Sequence, residues 1–198
     1  PYNANCPVIC MDETPKQLIG QTRVPLPMKP GQVKREDYEY QRNGSCNIFM
    51  ANEPLKGKRY TQVTEKRTKK DWAYFIKHVI DNYYSHCPKV TLVLDNLSTH
   101  TSGAFYDAFC PTEARRLLDK IEFVYTPKHG SWLNMAEIEL NIMQGQCLKL
   151  RMAKIELVEK KVAAWTEYRN SMETNINWQF QTKDARIKLK KRYPTIET

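Results

Sequence analysis

Three acidic residues carry the chemistry that can be read from this chain. Asp12 closes the apolar run Pro7-Val8-Ile9-Cys10-Met11, Asp95 closes the run Val90 to Leu94, and Glu137 stands within SWLNMAEIE, residues 131–139. Ligands and reactive groups in open sheets collect where strands end. If the three carboxylates share one cleft, their mutual repulsion calls for a cation, and hard oxygen donors with open positions select magnesium or manganese. Two such ions would activate a water or a 3′-hydroxyl and stabilise the leaving oxygen of a phosphodiester. His100 and His129 lie in the loops beside these acids and are candidates for a general acid or a phosphate contact, as Lys128 is for grounding a phosphate.

Each residue also has a plainer reading. Asp95-Asn96 makes a good strand exit, because both side chains readily bond their own backbone, and Asp12 is open to the same account. Asn134 followed three positions later by Glu137 matches a capping box, which would direct the glutamate to a backbone amide. The two histidines and Lys128 would then be surface residues.

The elements that must position these groups follow from periodicity and breakers. Pro7 to Asp12 reads as a short strand that Glu13-Thr14-Pro15 breaks, and the three prolines of VPLPMKPG (24–31) exclude both helix and central strand. Cys46 to Ala51 and Arg59 to Thr64 read as two strands joined by NEPLKGK, whose Pro54 and Gly57 favour a hairpin turn. Trp72, Phe75, Ile76, Val79, Ile80 and Tyr83 recur at helical spacing within 70–86. Val90 to Leu94 carries no charge, as a strand covered on both faces should not. Ser102 to Lys120 predicts one or two short helices with Pro111 opening the second, and Ile121 to Tyr125 a further strand. A helix is expected from Asn134 to about Leu150, and another around Ile155, Val158, Val162 and Trp165. Strands that come first and then alternate with helices predict an α/β fold, with a mixed central sheet of about five strands flanked by helices.

Composition narrows the partners. The chain has 198 residues with 31 Lys and Arg against 22 Asp and Glu, a net charge of +9 that suits a polyanion. Arg186, Lys188, Lys190 and Lys191 crowd the tail KDARIKLKKRYP, a density suited to phosphate, although a solvated helix face has the same look. No apolar run approaches the roughly 20 residues of a membrane span. The six cysteines are scattered without paired CxxC knuckles, which argues against a structural zinc site, and no secretion signal precedes them, so reduced thiols in the cytoplasm are expected.

Taken together, CMDET around Asp12, LVLDNLSTH around Asp95 and YTPKHGSWLNMAEIE around Glu137 resemble the catalytic acid motifs of the Asp-Asp-Glu (DDE) transposases, in the insertion-sequence branch related to the mariner superfamily. CLKLR, WTEYRN, INWQF and DARIKLKKRYP resemble that family's C-terminal pattern, so the likeness covers most of the chain. The resemblance implies a ribonuclease-H-like fold in which the first and fourth strands lie side by side, with Asp12, Asp95 and Glu137 binding two Mg2+ ions, or Mn2+ in their place. It implies nicking at transposon ends and attack of the freed 3′-hydroxyl on target DNA, typically at TA. DNA is the implied partner, contacted by Lys128, His129, Ser131, His100, Arg186, Lys188, Lys190 and Lys191. A homodimer is the implied active form, and a bacterial, nucleoid-associated setting the implied location. The Asp95 to Glu137 interval of 42 residues (137 − 95) suits the insertion-sequence branch. Residues 1–198 are thus expected to form one catalytic domain without the family's N-terminal helix-turn-helix, and Gly145 stands where relatives carry a basic residue nearby. A nuclease that cuts without joining, or a transposase-derived DNA-binding protein without catalysis, are the competing readings.

Overall fold

A computed structural model describes residues 2–128 and 130–190. Its centre is a five-stranded mixed sheet in the order β3-β2-β1-β4-β5. Strands β1 (Val8–Gln21), β2 (Tyr40–Glu53) and β3 (Lys58–Thr64) form an antiparallel meander, while β4 (Val90–Leu94) and β5 (Ile121–Tyr125) add in parallel beyond β1. The expected order of elements and the mixed sheet are both present.

Alternation along the strands sends successive side chains to opposite faces, and each face has its own core. On one face Ile9, Met11, Phe49 and Ala51 pack against helices α1 (Lys69–Tyr83), α2 (Gly103–Ala108) and α3 (Pro111–Lys120), through Trp72, Phe75, Phe105 and Leu117. On the other, Leu18, Ile48 and Met50 meet α4 (Ala136–Met143) and α5 (Ile155–Ser171) through Leu140, Met143, Val158, Val162 and Trp165. Cover on both faces explains why Cys46 to Glu53 are buried without interruption. Helix α1 starts at a full capping box, Thr68 with Asp71, and Pro111 opens α3 as its first residue. A last helix, α6 (Thr182–Leu189), carries the basic tail.

Two expectations need correction. Strand β1 does not end at Asp12: it runs on through Pro15 to Gln21, opposite an equally extended β2. The physical reason is the early end of β4, whose last backbone pairing with β1 is Cys10 with Val93. Past that point β1 has a free side, and proline is tolerated in such edge segments. The expected single helix from 134 to 150 is also divided, into α4 and a π turn over Gln144–Leu148. At the β2–β3 turn Gly57 has φ +68, and a Cβ there would lie 2.8 Å from the Glu173 backbone, so the hairpin requires glycine.

Candidate active site

The end of the parallel β1–β4 ladder creates the site. The offset that pairs Cys10 with Val93 also sets Asp12 opposite Asp95 (93 − 10 and 95 − 12 both give 83), two positions beyond the last backbone bridge. The strands therefore present two carboxylates across a step in the sheet. Asp12 and Glu13, adjacent on β1, point to opposite faces. Asp12 is half-buried, and its Oδ1 accepts the Glu13 N–H at 2.8 Å. Burial pushes its carboxyl up to about 7 against that hydrogen bond, and the negative charges of Asp95, Glu13 and Glu137 push the same way. Asp95 and Glu137 thus both lie within electrostatic reach of Asp12.

Asp95 is set up differently. Its Oδ1 is 2.7 Å from His100 Nδ1 and accepts the Leu97 N–H at 3.3 Å, whereas among the described residues Oδ2 takes no hydrogen bond. The His100 bond, against burial, keeps the Asp95 carboxyl below its ordinary range. Asp95 accordingly makes the local turn contact of the plainer reading and still offers an oxygen outward.

Glu137 is the second residue of α4. It forms no capping box with Asn134. Asn134 is fully buried and bonded elsewhere: Nδ2 donates to Met11 O at 2.7 Å, and Oδ1 accepts the Ala136 N–H at 3.1 Å. One side chain thereby ties the entry of α4 to the residue before Asp12. Two positions past Glu137, Glu139 faces the interior, where its Oε1 meets Arg59 Nη2 at 2.6 Å and Arg169 Nη2 at 3.2 Å. This anchor fixes the helix that carries Glu137 to β3 and α5.

His100 lies in the loop after β4, as expected, but its burial corrects the expectation of a DNA contact there. The ring has no exposed surface, lies 5.4 Å from the Trp72 ring, and sits between Asp95 and Glu13, with Nε2 in a 2.9 Å ion-pair contact with Glu13 Oε2. Tyr125 Oη donates to its carbonyl at 2.9 Å. Burial alone would lower its pKa, but the two carboxylates prevail and raise it to about 9. A ring so enclosed cannot touch DNA. The roles of Glu13 and Glu139 escaped the sequence reading, which took Asn134 only as a helix cap, although the strand period does place Glu13 opposite in face to Asp12.

Lys128 and Ser131 line, with Asp95, Asn96, Leu97, Thr126 and Pro127, a cleft of about 210 Å3. Arg186, Lys188 and Lys190 are exposed at α6, and Lys188 Nζ stands 4.7 Å over the ring of Trp132, next to Ser131. His129 and Lys191 lie outside the described residues. Among the described residues no three His, Cys, Asp or Glu side chains already converge closely enough to cage a metal ion. The donor set nonetheless fits a hard divalent ion: the charges of Asp95 and Glu137 add to the cost of ionising Asp12, and magnesium characteristically binds through few carboxylates while keeping waters. No helix among the described residues is long and apolar enough to cross a membrane.

Residues 7–158 match the family model described as DDE superfamily endonuclease. No curated protein matches the chain. Among solved structures, the Mos1 transposase paired-end complex with left transposon end is similar at TM-score 0.55 and 15% identity, over 83% of this chain and 48% of that one. The Mos1 mariner paired-end complex with Mn gives 0.53 and 15%, over 83% and 49%. A pre-cleavage Mos1 transpososome gives 0.53 and 13%, over 88% and 58%. At these identities the likeness is one of fold, the ribonuclease-H-like sheet with flanking helices. The chain spans about half the length of the Mos1 chains it matches.

Proposed function

The chain belongs to the DDE superfamily of endonucleases, and from that premise we propose that it is the catalytic core of a transposase, cutting DNA at transposon ends and joining the freed 3′-hydroxyl to a target, typically at TA. The observation that carries the reading is the end of the β1–β4 ladder, two residues beyond which Asp12 and Asp95 follow at the same offset, with Asp95 and Glu137 both close enough to act on Asp12. Asp12, Asp95 and Glu137 would hold two Mg2+ ions, or Mn2+ in their place. The ions would supply Lewis acidity for the attacking and leaving oxygens of the phosphodiester.

The protein's own residues divide the remaining work. Asp95 turns Oδ2 outward because Oδ1 is occupied by His100 and Leu97. Glu137 approaches from the α4 side, on a helix held by Asn134 and Glu139. Lys128 and Ser131, on the wall of the Asp95 cleft, would meet the scissile phosphate, as would His129, which follows Lys128 in sequence. Arg186, Lys188 and Lys190, with Lys191 following in sequence, would track the flanking DNA backbone. Joining two ends calls for two cores, which favours a homodimer on DNA.

The test uses end-labelled DNA carrying the element's own terminus, with Mg2+. Asp95→Ala is expected to abolish both nicked and joined products while the variant melts cooperatively. Undiminished metal-dependent cleavage by Asp95→Ala would sink the assignment. Cleavage without joined products, in the unaltered protein, would favour a plain nuclease of the same fold.

A further inference from the structure

Backbone pairing between β1 and β4 stops at Cys10 and Val93, yet the two carboxylates that face each other lie two residues farther on. Something other than the ladder must hold Asp95 in place there. The contact that does so is made by side chains: Asp95 Oδ1 to His100 Nδ1 at 2.7 Å, then His100 Nε2 to Glu13 Oε2 at 2.9 Å. Glu13 belongs to β1 and Asp95 to the exit of β4, so the imidazole spans the two strands where the main chain no longer does.

The bridge itself is tightly held. His100 is wholly buried, its ring lies against Trp72 of α1, its N–H donates to Leu97 O at 2.9 Å, and its carbonyl accepts Tyr125 Oη from β5. The Glu13 side chain is 4% exposed, and the nearest cation other than His100 is Arg67, whose Nη1 stands 3.9 Å from Oε1. Neither Glu13 nor His100 can reach a substrate in the cleft. Both groups are therefore without a direct chemical task, and a buried, charged pair of this kind is costly to keep unless its geometry is used.

We propose that Glu13 and His100 are a positioning pair for Asp95, occupying one carboxylate oxygen inside the protein so that the other is held toward the divalent ions of the cleft. This rests on the metal-binding reading of Asp12, Asp95 and Glu137. Residues that orient ligating carboxylates typically change metal affinity by roughly 10–100-fold when replaced. A part that only filled the core would change stability and leave the affinity of the folded protein alone.

The experiment is Mn2+ binding to the full chain without DNA, followed by calorimetry and by the electron paramagnetic resonance of free and bound Mn2+, alongside apo melting curves. Asp95→Ala is the reference and should lose the site. His100→Asn should weaken Mn2+ binding roughly 10–100-fold in protein that still melts cooperatively. Glu13→Gln, which keeps the shape of the pair's far end, should weaken it in the same direction by a smaller factor, and it decides the matter should His100→Asn fail to fold. Wild-type Mn2+ affinity in folded Glu13→Gln and in any folded His100→Asn would overturn the positioning role while leaving the metal site standing. Unchanged Mn2+ binding in Asp95→Ala would instead overturn the metal reading itself, and this inference with it.

Discussion

Replacing Glu139 by Gln removes one charge from the most enclosed ion pair of the fold. Arg59 is 1% exposed and Glu139 fully buried, with Nη2 and Oε1 2.6 Å apart and Arg169 joining from α5. Nη1 donates to Gly57 O and Nη2 also to Thr174 O, both at 2.6 Å, and Nε is buried without a partner among the described residues, so the guanidinium has no route to water once its counter-ion is gone. Breaking a buried pair from one side costs about 3–5 kcal/mol. For a chain of this size each kcal/mol moves Tm by about 2–4 °C, so Glu139→Gln should melt roughly 6–20 °C lower by circular dichroism at pH 7. The double variant Arg59→Met with Glu139→Leu removes both charges and should recover most of that loss, since apolar replacements of such pairs are often neutral. Acid should narrow the gap. Burial disfavours the Glu139 carboxylate, but Arg59 and Arg169 hold its pKa below the ordinary value, so the wild-type advantage is present above the unfolded pKa and lost as pH falls through the lower folded one. A drop of less than about 2 °C in the single variant, or a double variant no more stable than the single one, would refute the account.

Asn134→Ala leaves Met11 O and the Ala136 N–H unpaired in the interior and should cost about 1–3 kcal/mol in denaturant unfolding, with Mn2+ affinity falling as Glu137 loses its tether. Asp12 is raised in the fold to about 7 from an ordinary 3.8, so the native state holds the extra proton between those values. Asp12 should therefore contribute stability to the apo protein that grows as pH falls from 8 toward 4, and Asp12→Asn, compared with wild type by thermal melting across that window, should remove this component. Lys188→Ala and Lys190→Ala should weaken DNA binding to about the same degree on any sequence and lower the slope of log affinity against log salt by about 1 each. A salt titration that left the slope unchanged would place those lysines away from the phosphates.

What could be read from the residues depended on whether the signal was local. Val90–Leu94 and Ile121–Tyr125 have the bounds expected of them, because each is a run of strand-favouring residues between polar breakers. The Thr68 cap and Pro111 fixed helix starts for equally local reasons. Strand β1 was misjudged at Pro15 because a proline's cost depends on whether a neighbour pairs with it, and β4 ends too soon to do so. The accessibility of His100 was misjudged in the same way: nothing in LSTH reveals that Trp72, 28 positions earlier (100 − 72), closes over the loop. Asn134 satisfied the pattern of a cap and does bond the Ala136 N–H, but its amide is directed to β1, a partner 123 residues away that no local motif encodes.

Strands and loops differ in what they tolerate as genes drift. Within β1 and β4 the side-chain period is two, so gaining or losing one residue between Val90 and Asp95 would turn the acid to the opposite face of the sheet and move it away from Asp12. Outside the Asp95–His100 turn and β5, the stretch from Asn96 to Leu133 carries no such constraint, because Asn134 docks α4 onto β1 however long the chain between has become. Evolution can therefore lengthen or shorten the interval between the second and third acids, inserting helices or whole appendages after β4, while the count of residues leading up to each strand's acid stays frozen.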